Sequence, residues 1–139
     1  MFLLDSNVVS EMRSKTRCDS RVRAWEQGTP LGSCWISVIV LLEIRKGVEL
    51  MRKRDKAFAK SLETWLEERV IPAFEGRILS VTPAVADRSG RIAAMRTRGL
   101  ADCVIAATAL EQGLVLVTRN VADFEDLEGL EIVNPWLFS

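Results

Sequence analysis

Three carboxylates stand where carboxylates are costly. Asp5 directly follows the apolar run Phe2-Leu3-Leu4, Glu43 interrupts Val38-Ile39-Val40-Leu41-Leu42 and Ile44, and Asp102 heads the largely apolar stretch Cys103 to Leu110. A charge on so apolar a face opposes folding unless it is paired or binds a cation. Each acid has an ordinary explanation: Asp5 as a cap ending a strand, Glu43 in an ion pair with Arg45 or Lys46, Asp102 as a helix N-cap, and a fourth acid, Asp123, as a turn aspartate. Together they fit another chemistry. Several carboxylates without a histidine offer hard oxygen ligands for Mg²⁺ or Mn²⁺. Such an ion lowers the pKa of the water it holds and stabilises charge building on a phosphate. Without it, clustered carboxylates repel and their pKa values rise. The constellation favours metal-dependent phosphodiester cleavage over a lone acid base or a glycosidase pair, neither of which explains acids gathered at one sheet edge.

Composition narrows the field. At 139 residues the chain is expected to form a single domain spanning 1–139. The absence of histidine removes Ser-His-Asp and Cys-His catalysis and the commonest ligand for zinc or copper. Acids and bases balance, so a nucleic-acid partner must be met by a local patch. Cys18, Cys34 and Cys103 are odd in number and widely spaced, which fits reduced residues of a cytoplasmic protein. The apolar start Met1 to Leu4 is too short for a signal peptide or a membrane span.

The elements that must position the acids follow from apolar runs and punctuation. Phe2-Leu3-Leu4 is a buried strand, followed by a helix over about Val8 to Arg13. A short helix around Val22 and Trp25 stops at Gly28-Thr29-Pro30. Cys34-Trp35-Ile36 is the second strand; Ser37 caps a helix from Val38 to about Met51 that carries Glu43. A long amphipathic helix runs from Asp55 to about Val70, ended by Ile71-Pro72. Ile78 to Val81 is the third strand, and Thr82-Pro83 opens the next helix. The helix of Asp102 closes at Gly113. Leu114 to Val117 is the fourth strand, with the polar end Thr118-Arg119-Asn120, and a short turn covers Val121 to Phe124. Leu130 to Val133 is a weak fifth strand. Short apolar strands alternating with helices predict an α/β fold with a mostly parallel central sheet flanked by helices. Ligands of such sheets sit beyond the carboxyl ends of the strands, where Asp5 and Asn120 fall.

Four segments, in order, resemble the PIN-domain ribonucleases, and most closely the FitB-like branch of the VapC-type toxins. They are Leu3 to Glu11, Ile36 to Gly47, Ala101 to Ala109 and Val117 to Phe124; the ending Asn134-Pro135-Trp136 also fits. The resemblance implies a three-layer PIN fold and a Mg²⁺ or Mn²⁺ site held by Asp5, Glu43 and Asp102. It also implies a toxin that cleaves RNA, pairs as a homodimer with a cognate antitoxin, and is neutralised by an antitoxin peptide near the site. Asn120 stands where the family often has an acid, and Asp123 is then the alternative fourth charge. Asn120, Ser6 and Thr118 are candidates to touch substrate or support the carboxylates. The link from Ala94 to Asp102 is shorter than in many members.

Two rival readings keep the sheet but change the function. A degenerate PIN domain binds RNA or a partner without cutting it, a reading favoured by Asn120. A phosphate-accepting Asp5 of the response-regulator kind wants a lysine after a late strand, and Arg119-Asn120 supplies none. For an RNA path, Arg45, Lys46, Arg52, Lys53, Arg54, Lys56 and Lys60 crowd one stretch opposed only by Glu49 and Asp55, as a steering patch or a solvated helical face. Arg91, Arg96, Arg98 and Arg119 are expected nearer the acids. Trp35 and Trp65 read as core rather than as stacking platforms.

Overall fold

A computed structural model describes residues 1–139. Its five strands are β1 (Phe2–Leu4), β2 (Cys34–Ser37), β3 (Ile78–Leu79), β4 (Val115–Val117) and β5 (Ile132–Val133). They form one sheet in the order β3-β2-β1-β4-β5, parallel throughout. Central strands of a parallel sheet are covered on both faces, which is why Leu3, Leu4, Ile36, Leu116 and Val117 are fully buried. Chain direction across the sheet reverses between β1 and β4, so a crevice opens at their carboxyl ends.

The helices are α1 (Ser6–Glu11), α2 (Ser20–Gln27), α3 (Val38–Arg52), α4 (Lys56–Trp65), α5 (Ile71–Ala73), α6 (Pro83–Met95) and α7 (Leu100–Gln112). Their starts are set by side-chain caps. Asp19, Ser37, Asp55 and Thr82 each accept a bond from a backbone N–H of the first turn. Gly113 closes α7 at φ 65°, a left-handed conformation that suits glycine, and turns the chain straight into β4. From Cys103 to Ala109 every residue of α7 is buried, so this helix lies within the core rather than on it.

The expected elements are present, with shifted edges. α1 begins two positions earlier than its apolar pattern, because Asp5 caps it at once. Pro72 does not end the fourth helix. A wide π-type turn over Leu66–Val70 carries the chain from α4 into α5, and Pro72 sits in the first turn of α5. The wider turn accommodates a ring that lacks an N–H and would crowd the preceding carbonyls. β3 and β5 are only two residues long, as edge strands often are. All three cysteines are free. No helix is long and apolar enough to cross a membrane.

Candidate functional site

Asp5 is the fixed point of the site. It lies between β1 and α1 and is only 3% exposed. Its N–H donates to the Val117 carbonyl (2.9 Å), which extends the β1–β4 ladder by one residue and locks Asp5 against β4. Its carboxylate is held on both oxygens: the Ser6 N–H donates to Oδ1 (2.8 Å), and the Thr118 hydroxyl (2.8 Å) and the Asn7 amide (3.3 Å) donate to Oδ2. Asn7 Nδ2 also reaches Thr118 Oγ1 (3.3 Å), and Asn7 Oδ1 accepts from the Arg119 N–H (3.3 Å). The N–H of Asn120 donates to Thr118 Oγ1 (3.1 Å). The ends of β1 and β4 are thus stitched through Asn7 and Thr118. Thr118 is fully buried, whereas Asn120 is exposed. Asp5 is a cap, as expected, and it retains acceptor capacity beyond the cap bond.

Glu43 comes from α3, one residue before buried Ile44. Its Oε1 is buried and has no hydrogen-bond partner. The expected ion pair is absent: Arg45 turns to Glu49, Glu63 and Glu67 instead. Asp102 is not an N-cap. That position belongs to Gly99, and Asp102 lies further along, in the first turn of α7. Its carboxylate still gains from the positive end of the helix dipole. Asp123 closes the short turn Val121–Asp123 after β4.

Electrostatics link these groups. Burial pushes the Asp5 carboxyl above its ordinary value despite the bonds from Thr118, Ser6 and Asn7, and the charge of Asp123 adds to the rise. Burial also raises Glu43; Asp5 and Asp102 raise it further, while the Ser6 side chain and Lys46 oppose them. Asp102 is raised by burial, then by Asp5 and Asp123, with Arg98 opposing. The charge of Asp5 therefore reaches Glu43 and Asp102, that of Asp102 reaches Glu43, and that of Asp123 reaches Asp5 and Asp102. A buried, unpartnered carboxylate oxygen among mutually repelling carboxylates fits a hard cation. No group of three or more acidic, cysteine or histidine side chains is arranged to hold a metal ion by itself.

Other expectations shift. Arg45, Arg52 and Lys60 do not form a free basic stripe, because Glu49, Glu63 and Glu67 pair with them across α3 and α4. Arg91 pairs with Asp87, and Arg96 and Arg98 with Asp126. Arg119 stacks over Trp136, 5.0 Å from its ring centre. Trp65 is half-buried and borders a cavity of about 310 Å³ lined also by Ser6, Ser10 and Glu43. Beyond Trp65 the surface continues as a trough lined by Arg13, Lys15 and Arg69, by Arg23 paired with Glu26, and by Glu68. Asn7 was absent from the expected set; its place two residues after Asp5, in an Asp-Ser-Asn triplet, was the available signal.

The PIN-domain family profile matches residues 2–130. Toxin FitB of Neisseria gonorrhoeae is 35% identical to this chain, covering 98% of it and 99% of FitB. VapC ribonuclease Y4jK of Sinorhizobium fredii is 36% identical over 98% of both chains. Among solved structures, that of FitAcB from Neisseria gonorrhoeae superimposes with a TM-score of 0.87 at 33% identity, covering 99% of this chain and 100% of that one. Sequence, sheet order and overall superposition agree: the chain belongs to the PIN-domain family, in its branch of VapC/FitB-like toxin ribonucleases.

Proposed function

We propose that the protein is a metal-dependent endoribonuclease and the toxin of a toxin–antitoxin pair, with Asp5, Glu43, Asp102 and Asp123 as its working carboxylates. One observation carries the reading: a buried acid, Asp5, and half-buried Glu43, Asp102 and Asp123 come from separate segments to the carboxyl edge of the sheet, like charges raise Asp5, Glu43 and Asp102, and none of the four forms an ion pair. Asp5, Glu43 and Asp102 would hold Mg²⁺ or Mn²⁺. Such an ion, when bound, supplies positive charge for the phosphate and lowers the pKa of water.

The chain's own groups supply the rest. The bonds from Ser6, Asn7 and Thr118 hold Asp5 in one orientation, so no reorganisation is needed when substrate arrives. Glu43, whose buried Oε1 has no partner in the fold, would turn that oxygen to the ion beside Asp5 and Asp102. Asn120, which is exposed, would meet the RNA. The ribonuclease names of the relatives support RNA as substrate. The trough beyond Trp65, with apolar and basic side chains in its lining, supports docking of an antitoxin segment beside Glu43. A homodimeric toxin completes this reading.

The test is cleavage of RNA by the purified protein. Mg²⁺ or Mn²⁺ should support cutting and a chelator should stop it. Asp5→Asn and Asp102→Asn should each lower the rate by about a thousandfold. Undiminished cutting in chelator or in both variants would refute the proposal. Asn120 favours a second reading, in which the domain binds RNA without cutting; RNA affinity with no product in any divalent ion is its signature.

A further inference from the structure

We propose that Arg98 is a positioning residue, clamping the backbone of the turn that carries Asp123 to the link before α7 and so fixing where that turn lies. The inference rests on the carboxylate site proposed above. Only residues 96–99 link α6 to α7. A charged side chain in so short a surface link is expected in solvent, yet that of Arg98 is 3% exposed. Its Nη1 donates to the Asp123 carbonyl (2.8 Å) and to Asp126 Oδ1 (3.0 Å), and its Nη2 donates to Asp126 Oδ2 (2.8 Å). Arg96 adds a bond from Nη2 to the Ala122 carbonyl (3.1 Å). Two arginines of one link thus grip successive carbonyls of the turn.

An ion pair for stability alone explains this poorly. Asp126 is exposed, and an arginine could meet it in water without losing its own hydration. Here the guanidinium is buried instead, with its Nε–H left unpartnered, an arrangement that opposes folding. What burial achieves is geometric. The planar fork fixes two directions at once, which the single ammonium of a lysine cannot do. The turn has few other ties: local backbone bonds from Asp123, Phe124 and Glu125, and the buried ring of Phe124. Asp123 is also the acid that reaches both Asp5 and Asp102 electrostatically. The clamp therefore controls the one site carboxylate that is carried on a turn rather than on or beside a strand or helix.

The experiment uses the full chain and two readouts, Mn²⁺ affinity by calorimetry and steady-state RNA cleavage. Arg98→Lys should weaken Mn²⁺ about tenfold and lower kcat about tenfold, with KM for RNA changed less than about threefold. Asp126→Asn, an exposed change that leaves the arginine in place, should shift Mn²⁺ affinity in the same direction by about threefold. In an Asp123→Asn background, Arg98→Lys should have no further effect on either readout. Losses that add in that background, or a lower Tm with unchanged Mn²⁺ affinity in both single variants, overturn the clamp alone. A parent protein that binds no Mn²⁺ overturns the metal site and the clamp with it.

Discussion

Helix α3 carries acids in two opposite circumstances. On its outer side, Glu49 bonds Arg52 and Arg45, and Glu63 of α4 takes Arg45, Arg52 and Lys60. These acids are held below their ordinary values by the bonds they accept, from Arg52 for Glu49 and from Arg45 for Glu63. On its inner side, Glu43 forms no ion pair and is raised by burial and by Asp5 and Asp102, which outweigh Lys46. The outer charges are matched within the chain; the inner ones await something the chain does not supply. Charge alone therefore marks no site. Unmatched charge, held in place at a structural cost, does.

Paired substitutions sharpen the contrast. Glu43→Gln keeps the shape of the side chain but removes its charge and basicity, and RNA cleavage should fall about a hundredfold. Glu63→Gln removes a charge of the outer network, and cleavage should stay within about twofold, since Glu63 pairs only with Arg45, Arg52 and Lys60 and with none of the residues around the site acids. Equal losses in the two variants would show that the regions do not differ in the way their charges are matched.

A smaller effect separates the two candidates for the fourth acidic position. Asp123 raises both Asp5 and Asp102, whereas Asn120 is exposed and offers the cluster no charge. Asp123→Asn should slow cleavage about tenfold, a change of roughly 1.4 kcal/mol in barrier, while Asn120→Ala should stay within about threefold. The rates of the two variants, measured at saturating Mn²⁺, check the assignment. A larger loss at Asn120 would move the fourth role there.

The same contrast explains what the sequence disclosed. The strands were legible because parallel strands buried on both faces are continuous apolar runs, and the helix starts because Ser37 and Thr82 are capping residues. Glu43 stood out because an acid among Val, Ile and Leu needs a partner, and the sequence could not tell an ion pair with Arg45 or Lys46 from a cation site. The basic run from Arg45 to Lys60 left two readings open, because the partners of Arg45 and Arg52 include Glu63 on the next helix and Glu67 in the turn after it, and only packing brings them back. Arg98 was expected near the acids, but its partners, like those of Asn7, were hidden for a related reason. Arg98 is defined by a contact with residues of a turn far along the chain, and Asn7 by its bonds to Thr118 and Arg119. Spacing along one segment carries periodicity, not the meeting of two distant loops.

The least effect concerns stability, and its sign is opposite in the two regions. Asp102 is raised in the folded protein. Its contribution to stability is fully present below the ordinary aspartate range and is lost as pH rises through the raised value, so at neutral pH its charge opposes folding. In chelator at pH 7, Asp102→Asn should therefore melt above the parent, and the gap should close on acidification, when both side chains are neutral. Mn²⁺ should raise the parent's Tm more than the variant's. Glu63 is lowered, so its contribution is present at neutral pH and lost as pH falls through its folded value. Glu63→Gln should melt below the parent at pH 7 and approach it in acid. Thermal melts across this pH range, with and without Mn²⁺, read both signs from one set of samples. If Asp102→Asn melted below the parent in chelator at neutral pH, its carboxylate would have a partner within the fold, and the site would need no cation to balance it.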